Sequence, residues 1–397
     1  FAACDMDYDS ARFPRNLAFG WGSIIHLKAL GASRAFLVSD SIVAKMEGFR
    51  DGVQCLEEAK VEWELFDEVE PEPSIGTVLR GAERMRDFNP EVVIALGGGS
   101  AIDAAKAMRV FHEHPGLRFE EVRFPPRLTI PPLSRTRLIA IPTTSGTGSE
   151  ATPVAIISED TTKIKCPIYS PELIPDLAIL DPSLAASMPP GLTAYTGLDA
   201  LSHAIESFVS KRANPFSRPL SREAARLILD NLPRVFLNGD DREGREKMHW
   251  AASLAGLAFA STGLGLCHSM ASPLGASFGI PHGKICGILL PYVIAFNVPA
   301  ARVAYGEISL ALGLRPAPRE DPARALIRAV RELLRSLGVP LSLAECGIRN
   351  EEFGEKLDDL SELSFSAGPT LTNPRASSAE EVRALMECVY RGSEVTI

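Results

Sequence analysis

The stretch VVIALGGGSAIDAAKA, residues 92–107, decides the reading of the fold. Val92 to Leu96 is a short apolar run, the pattern of a strand buried on both faces. Gly97, Gly98 and Gly99 interrupt it, and Ser100 opens a run with helical spacing. Glycines between a strand and a helix allow positive φ and let a ligand approach the backbone. The N-terminus of the helix presents unpaired N–H groups and a partial positive charge, which suits a pyrophosphate. A tight turn with no ligand remains the alternative, and the run is not GxGxxG, because Ile102 stands at the third glycine position.

Working outward, Ala35–Ser39, Arg137–Ile141, Val154–Ser158 and Leu177–Leu180 read as further buried strands, each short and bounded by Gly, Pro, Ser or Asp. Helical spacing over Ser74–Phe88 and Ala101–Phe111 separates them. Strand–helix alternation predicts parallel strands with crossover helices, an α/β layer fold. Past Asp181-Pro182 the texture changes. Leu198–Val209, Ser221–Asn231, Met248–Ala260 and Asp321–Leu337 carry helical spacing, so residues 1–183 are expected to form an α/β dinucleotide-binding domain and 184–397 an all-α domain. The proline-rich segment Phe124–Pro132 reads as a surface excursion.

The composition fits such a protein. Its 397 residues are 46% hydrophobic and 23% charged, enough apolar material for a substantial core. The formal net charge is −9, which argues against a general nucleic-acid binder. No uninterrupted apolar run reaches about 18 residues, so no membrane span is expected, and Ile285–Val298 reads as a buried segment. Seven scattered cysteines, Cys4, Cys55, Cys166, Cys267, Cys286, Cys346 and Cys388, include no CxxC pair. With no basic-then-apolar leader at the N-terminus, the expectation is a cytoplasmic protein with free thiols.

Two further features sit where the ends of parallel strands should lie. PTTSGTGSE, residues 142–150, offers the hydroxyls of Thr143, Thr144, Ser145, Thr147 and Ser149. They could bind phosphate, ribose or amide, or form a solvated turn. Two such loops, each after a parallel strand, point to one crevice. Asp40 follows the first strand, as a partner for a ribose 2′-hydroxyl or as a helix cap.

Of seven histidines, three lie in two motifs of the helical half. In TGLDALSHAIES, residues 196–207, Asp199 and His203 stand at i and i+4 on one helical face. GLCHSMASPLGASFGIPHG, residues 265–283, supplies His268 and His282. A carboxylate and three imidazoles would satisfy Fe²⁺ or Zn²⁺, with Cys267 as a soft competitor. An i,i+4 Asp–His pair also arises by chance. The arginine and lysine clusters at 218–226 and 242–247 read as solvated helix faces.

Together GGGSAIDAAKA (97–107), PTTSGTGSEATP (142–153), TGLDALSHAIES (196–207), HSMASPLGASFGIPHG (268–283) and LTNPR (371–375) resemble the iron-containing (group III) alcohol dehydrogenases, in order and through most of the chain. The resemblance implies a Rossmann-like N-terminal domain, an all-helical C-terminal domain and an active cleft between them. It implies Asp199, His203, His268 and His282 as ligands of Fe²⁺, with Zn²⁺ as the alternative. It implies Gly97, Gly98, Gly99 and Ser100 as the pyrophosphate loop with Asp103 opening the helix. Thr143, Thr144, Thr147, Ser149 and Lys165 would contact the cofactor, and Asp40 would favour NAD(H) over NADP(H). One departure stands out: where the family pattern reads H-x-M-A-H, this chain has Ser272, which cannot titrate near neutral pH as a histidine proton relay would.

The expected activity is alcohol–aldehyde interconversion by hydride transfer, on a short primary alcohol, by a homodimer or larger homo-oligomer with no nucleic-acid or membrane partner. Alternatives are a reductase of a small anionic aldehyde, suggested by Arg212 and Arg218, a non-redox dehydroquinate-synthase-like lyase, and a non-catalytic metal or nucleotide binder.

Overall fold

The computed structural model describes residues 11–161, 164–317 and 320–395; Cys4 lies outside them. The chain divides into two compact units, one ending at Met188 and the other beginning at Pro189. The sequence reading put the change of texture a few residues earlier, at 183.

The first unit contains strands β1 (Asn16–Phe19), β2 (Arg34–Val38), β3 (Glu62–Phe66), β4 (Val92–Gly97), β5 (Arg137–Pro142), β6 (Val154–Ser158), β7 (Lys165–Tyr169) and β8 (Leu177–Leu180). Helices α1 (Glu47–Glu58), α2 (Ile75–Phe88), α3 (Gly99–Glu113), α4 (Phe119–Val122) and α5 (Pro182–Ala185) join them. Six strands form one sheet in the order β1-β8-β5-β4-β2-β3, and every pairing in it is parallel. Val92, Val93, Ile94 and Ala95 at its centre are fully buried, as a parallel sheet covered on both faces requires.

Chain order reverses between β2 and β4. From β2 the sheet grows outward to β3, and from β4 the other way through β5 to β8. The carboxyl ends of strands at such a switch point form a ligand crevice. The segments that leave those ends here are Ser39–Asp40, Gly97–Ser100 and Thr143–Ser149.

Two expectations need correction. Val154–Ser158 does not join the parallel sheet; as β6 it pairs antiparallel with β7 in a separate hairpin. Its residues are apolar because the hairpin covers α3, and periodicity alone does not reveal a strand's partner. The edge strands β1 and β3 went unrecognised, because an edge tolerates the polar alternation of Glu62 and Glu64 in β3.

The second unit is all-helical: α6 (Pro190–Val209), α7 (Ser217–Leu237), α8 (Arg242–Thr262), α9 (Leu266–Phe278), α10 (His282–Ala311), α11 (Pro322–Ser336), α12 (Asn350–Phe365) and α13 (Ala379–Arg391). Helix α6 runs through its core, with Leu198, Leu201, Ala204 and Ile205 fully buried. Glycines let neighbours close on it. A Cβ at Gly283 in α10 would stand 2.0 Å from the carbonyl oxygen of Tyr195, so only glycine lets the first turn of α10 meet α6. Helices α8 and α9 meet at a 109° bend around Gly263–Gly265.

The segment Ile285–Val298 belongs to α10, which continues through Pro291 and Pro299 and loses helical geometry at Ala301. By length and hydropathy α10 could cross a bilayer, but 67% of its apolar window is buried inside the protein, which is the character of a core helix. The cluster at 242–247 is not wholly solvated either. Arg245 is buried, donating from Nη1 to Thr193 Oγ1 at 2.8 Å and from Nε to the Gly239 carbonyl at 2.9 Å.

Candidate metal centre and cofactor loops

In the first unit, the glycines after β4 serve packing rather than unusual backbone angles. None of the three adopts positive φ; Gly148 in the next loop does, at 63°. A Cβ at Gly97 would meet Ala101 Cβ at 2.6 Å, and one at Gly99 would meet Thr147 at 2.7 Å. At Gly98 the nearest atoms belong to Thr144, 3.7 Å away. The 97–100 turn and the 143–149 loop therefore lie against each other, with the N-terminus of the 15-residue helix α3 beside them.

The side chains proposed for cofactor contact divide into two groups. Asp40 Oδ1 accepts from the backbone N–H groups of Ile42 and Val43, both at 2.9 Å. It is thus a cap, while its Oδ2 lies 3.8 Å from where a Gly97 Cβ would be. Lys165 pairs with Glu72 at 2.8 Å, and Ser100 Oγ accepts from the Glu72 N–H at 3.4 Å. Asp103 and Ser149 face inward: Ser149 Oγ donates to Asp103 Oδ1 at 2.5 Å, and Ile156 N–H donates to Oδ2 at 2.9 Å.

Beside this pair lies Lys106, missed by the sequence reading because one lysine in an Ala-rich helix looks like a solvated residue. It is fully buried. Its Nζ donates to the carbonyls of Ser149 (2.6 Å), Thr152 (3.0 Å) and Val154 (2.7 Å), and it stands 3.9 Å from Asp103. Burial pushes Lys106 down to about 8 while Asp103 and Glu150 pull it back up. Burial likewise raises Asp103, against the attraction of Lys106. Lys106 therefore ties the hydroxyl-rich loop to α3.

In the second unit, three helices converge on Asp199. Its Oδ1 is buried and accepts no hydrogen bond of good geometry. Around it stand His268 Nε2 at 3.4 Å, His282 Nε2 at 3.7 Å and His203 Nε2 at 3.8 Å. Asp199 and His203 come from α6, His268 from α9 and His282 from the start of α10. The rings of His203 and His268 stack at 4.5 Å, and Phe259 lies against His203 at the same distance. Two ligands each about 2.1 Å from a tetrahedral ion stand about 3.4 Å apart. A buried carboxylate oxygen with three imidazole nitrogens at 3.4–3.8 Å around it fits one divalent ion, and the donors that all lie within 4.8 Å of one another are those of Asp199, His268, His282 and Cys286.

The electrostatics agree. Burial would raise Asp199, but His203, His268 and His282 outweigh it and hold the carboxyl well below its usual range. Burial would lower His268, but Glu206 and Asp199 outweigh it and hold it well above its usual value.

Glu206 is the second residue the sequence reading missed. Its Oε2 lies 2.6 Å from His268 Nδ1, and its Oε1 accepts the Cys267 N–H at 2.7 Å. A carboxylate on the far nitrogen fixes the tautomer and aim of a metal-binding imidazole. The available signal was spacing: Asp199, His203 and Glu206 stand at i, i+4 and i+7 on one face of α6. Gly265 makes room for it, since a Cβ there would lie 2.8 Å from both Glu206 Oε1 and Asn373 Oδ1. Asn373, in the LTNPR segment, accepts the Leu266 N–H at 3.2 Å and exchanges hydrogen bonds with Asn297. That segment thereby anchors the start of the helix bearing His268.

Cys267, the candidate soft competitor, adjoins His268 and points differently, grouping with Glu206 and His268, while the thiol in the Asp199 group is Cys286. Cys267 Sγ instead donates to the Cys286 carbonyl at 3.3 Å. Ser272 is half-buried, four residues after His268 on α9. Arg218 pairs with Glu307 at 3.1 Å and covers the Phe208 ring at 5.3 Å.

A dinucleotide-type α/β unit and a helical unit with a buried carboxylate–imidazole set are the two parts expected of a metal- and nicotinamide-dependent oxidoreductase. The profile of iron-containing alcohol dehydrogenases matches residues 14–182, and that of the C-terminal part of the Fe-containing alcohol dehydrogenase family matches 193–390. The chain is 43% identical over 384 residues to an NADPH-dependent butanol dehydrogenase of Clostridium saccharobutylicum, covering 96% of this chain and 98% of that one. An iron-containing alcohol dehydrogenase structure from Thermococcus thioreducens superimposes with a TM-score of 0.90 at 34% identity, covering 97% of this chain and all of that one. Sulfoacetaldehyde reductase from Bifidobacterium kashiwanohense in complex with NAD⁺ gives 0.85 at 28% identity, covering 96% and 98%. The chain belongs to the iron-containing alcohol dehydrogenase family. It is an NAD(P)-dependent oxidoreductase that interconverts alcohols and aldehydes, which decides against the lyase and the non-catalytic binder.

Proposed function

We propose that this enzyme interconverts a short primary alcohol and its aldehyde, with NAD(H) preferred over NADP(H), at one Fe²⁺ held by Asp199, His203, His268 and His282, Zn²⁺ being the alternative metal. The observation that carries the reading is Asp199 Oδ1, buried and ringed by three imidazole nitrogens at 3.4–3.8 Å. A divalent ion bound there supplies Lewis acidity toward the alcohol or carbonyl oxygen.

The chain's own residues do the rest. Glu206 aims His268 and keeps its Nδ1 proton in place. Gly97, Gly98, Gly99 and Ser100, with the N-terminus of α3, hold the pyrophosphate. Thr143, Thr144 and Thr147 supply hydroxyls to the cofactor, and Lys165 reaches its ribose. Asp103 and Ser149 act one step back, through Lys106, by setting the loop's shape. Asp40 Oδ2 repels a 2′-phosphate, which is the basis for preferring NAD(H). Ser272 replaces a titrating relay with a hydroxyl, so the alcohol proton leaves through water, a ribose hydroxyl or Ser272 itself.

The butanol dehydrogenase relative supports a short, uncharged substrate. The sulfoacetaldehyde reductase neighbour keeps an anionic aldehyde in view, but Arg218 is already neutralised by Glu307. We further propose a cytoplasmic homo-oligomer with small-molecule partners only; the free thiols Cys55, Cys166, Cys267, Cys286, Cys346 and Cys388 support a reducing compartment. The test is a panel of primary alcohols, diols, hydroxy acids and aldehydes with NAD(H) and NADP(H) on iron-loaded protein. Highest kcat/KM on a short primary alcohol or aldehyde supports the reading; highest kcat/KM on an anionic aldehyde overturns the substrate class.

A further inference from the structure

The metal centre contains one more donor than the proposed chemistry uses. Cys286 is fully buried, and its Sγ lies 3.5 Å from His282 Nε2 and 3.9 Å from His268 Nε2. The ligand atoms of Asp199, His268, His282 and Cys286 all lie within 4.8 Å of one another. The arrangement has a simple origin. Asp199 and His203 stand at i and i+4 on α6, and His282 and Cys286 at i and i+4 on α10. Gly283 brings the two helices together, its absent Cβ standing 3.2 Å from Asp199 Cβ. Each helix thus presents two donors, and His268 from α9 completes the cluster.

We propose that the centre has two overlapping ligand sets, which share Asp199, His268 and His282 and differ in the fourth donor: His203 for Fe²⁺, Cys286 for a thiophilic ion such as Zn²⁺, Co²⁺ or Cd²⁺. The inference rests on the metal-site reading above. For a tetrahedral ion with Zn–S of about 2.3 Å and Zn–N of about 2.0–2.1 Å, sulfur and nitrogen stand about 3.6 Å apart. The observed 3.5 and 3.9 Å match that edge. Softness then biases the choice, since exchanging an imidazole for a thiolate favours Cd²⁺ and Zn²⁺ over Fe²⁺, although imidazole alone suits zinc and iron alike. On binding, a sulfur–metal bond replaces the S–H bond and the proton leaves to solvent. The consequence is a centre whose identity depends on the metal supplied, with the sulfur set displacing His203.

The test uses Co²⁺ and Cd²⁺ added to metal-free protein, comparing the parent with Cys286→Ser and His203→Ala. The parent with Co²⁺ should show d–d absorption in the visible and a sulfur-to-cobalt charge-transfer band in the near ultraviolet. Cys286→Ser should lose the charge-transfer band, keep the d–d bands, and weaken Cd²⁺ binding by at least about tenfold, the scale found for partners one step further from a metal. Its Fe²⁺ affinity should not change. His203→Ala should keep the charge-transfer band and lose Fe²⁺ affinity. Cobalt d–d bands with no charge-transfer band sensitive to Cys286→Ser would overturn the inference and leave the four-ligand site standing. A parent that takes up no metal at all would overturn both.

Discussion

Glu206 Oε2 stands 2.6 Å from Nδ1 of His268, the imidazole whose Nε2 is nearest to Asp199 Oδ1. One buried glutamate thereby sets the direction and the protonation of an imidazole proposed as a metal donor. Glu206→Gln retains the size of the side chain and an acceptor but removes the charge. It should weaken metal binding by about ten- to a hundredfold, as loss of an outer partner does, without unfolding the helical unit. A chelator competition titration checks this, with thermal unfolding of the metal-free protein as control. Unchanged affinity would show that Glu206 is only a packing element.

Asp40 tests cofactor choice. Asp40→Asn keeps the acceptor that caps Ile42 and Val43 and removes the charge. A like charge near a 2′-phosphate costs on the order of one to a few kcal/mol, so the ratio of kcat/KM for NAD⁺ to that for NADP⁺ should fall by about tenfold or more. A parent enzyme that uses both cofactors equally well, or an unchanged ratio in the variant, would remove Asp40 from this role.

The centre of the sheet and the two glycine- and hydroxyl-rich loops were legible in the sequence because local pattern determines them. Val92 to Leu96 must be a buried strand, and glycine is demanded at 97 and 99 by contacts within the same βα unit and the adjoining loop. Of the four proposed donors, local spacing offers only the pair Asp199 and His203; His268 and His282 lie on other helices and join the set through the resemblance. What stayed hidden depends on distant partners. Nothing near Lys106 announces the carbonyls of Ser149, Thr152 and Val154. Spacing puts Glu206 on the face of Asp199 and His203 but does not name its partner His268, 62 residues away, and β6 looks like a sheet strand until β7 is seen beside it. Arg245 carries no local sign of burial, and Cys286, inside a segment that reads as buried, carries no sign of the imidazoles it faces.

Lys106 gives a stability prediction with a defined pH dependence. Lys106→Met leaves Asp103 buried without its cation and three carbonyls without a donor, so it should destabilise the protein by about 3–5 kcal/mol. Lys106 titrates near 8 in the folded chain against an ordinary value of 10.5. Between those two values the unfolded chain binds more protons than the folded one, so this group's contribution to stability rises with pH. Urea unfolding at pH 7.5 and pH 9.5 should therefore show the parent's advantage over the variant widening. An advantage that narrows would mean that the fold favours the charged lysine.

Ser272 gives a kinetic prediction. The parent's pH–rate profile should lack an ionisation attributable to an imidazole relay, while Ser272→His should acquire one near pH ~6.5 and shift the preference among alcohols. Paired profiles at equal metal content decide it. Superimposable curves with unchanged substrate preference would show that position 272 neither relays a proton nor shapes the pocket.

The most direct test of the metal-centred account is a titration of Fe²⁺ into metal-free enzyme under anaerobic conditions, following NADH formation from a short primary alcohol. Turnover should be absent at the start, rise in proportion to added iron and level off at one ion per chain. In His268→Ala, NAD⁺ should still bind but no iron should be retained and no turnover should appear. Full turnover in the metal-free parent, or iron retained at one per chain by His268→Ala, would contradict the account.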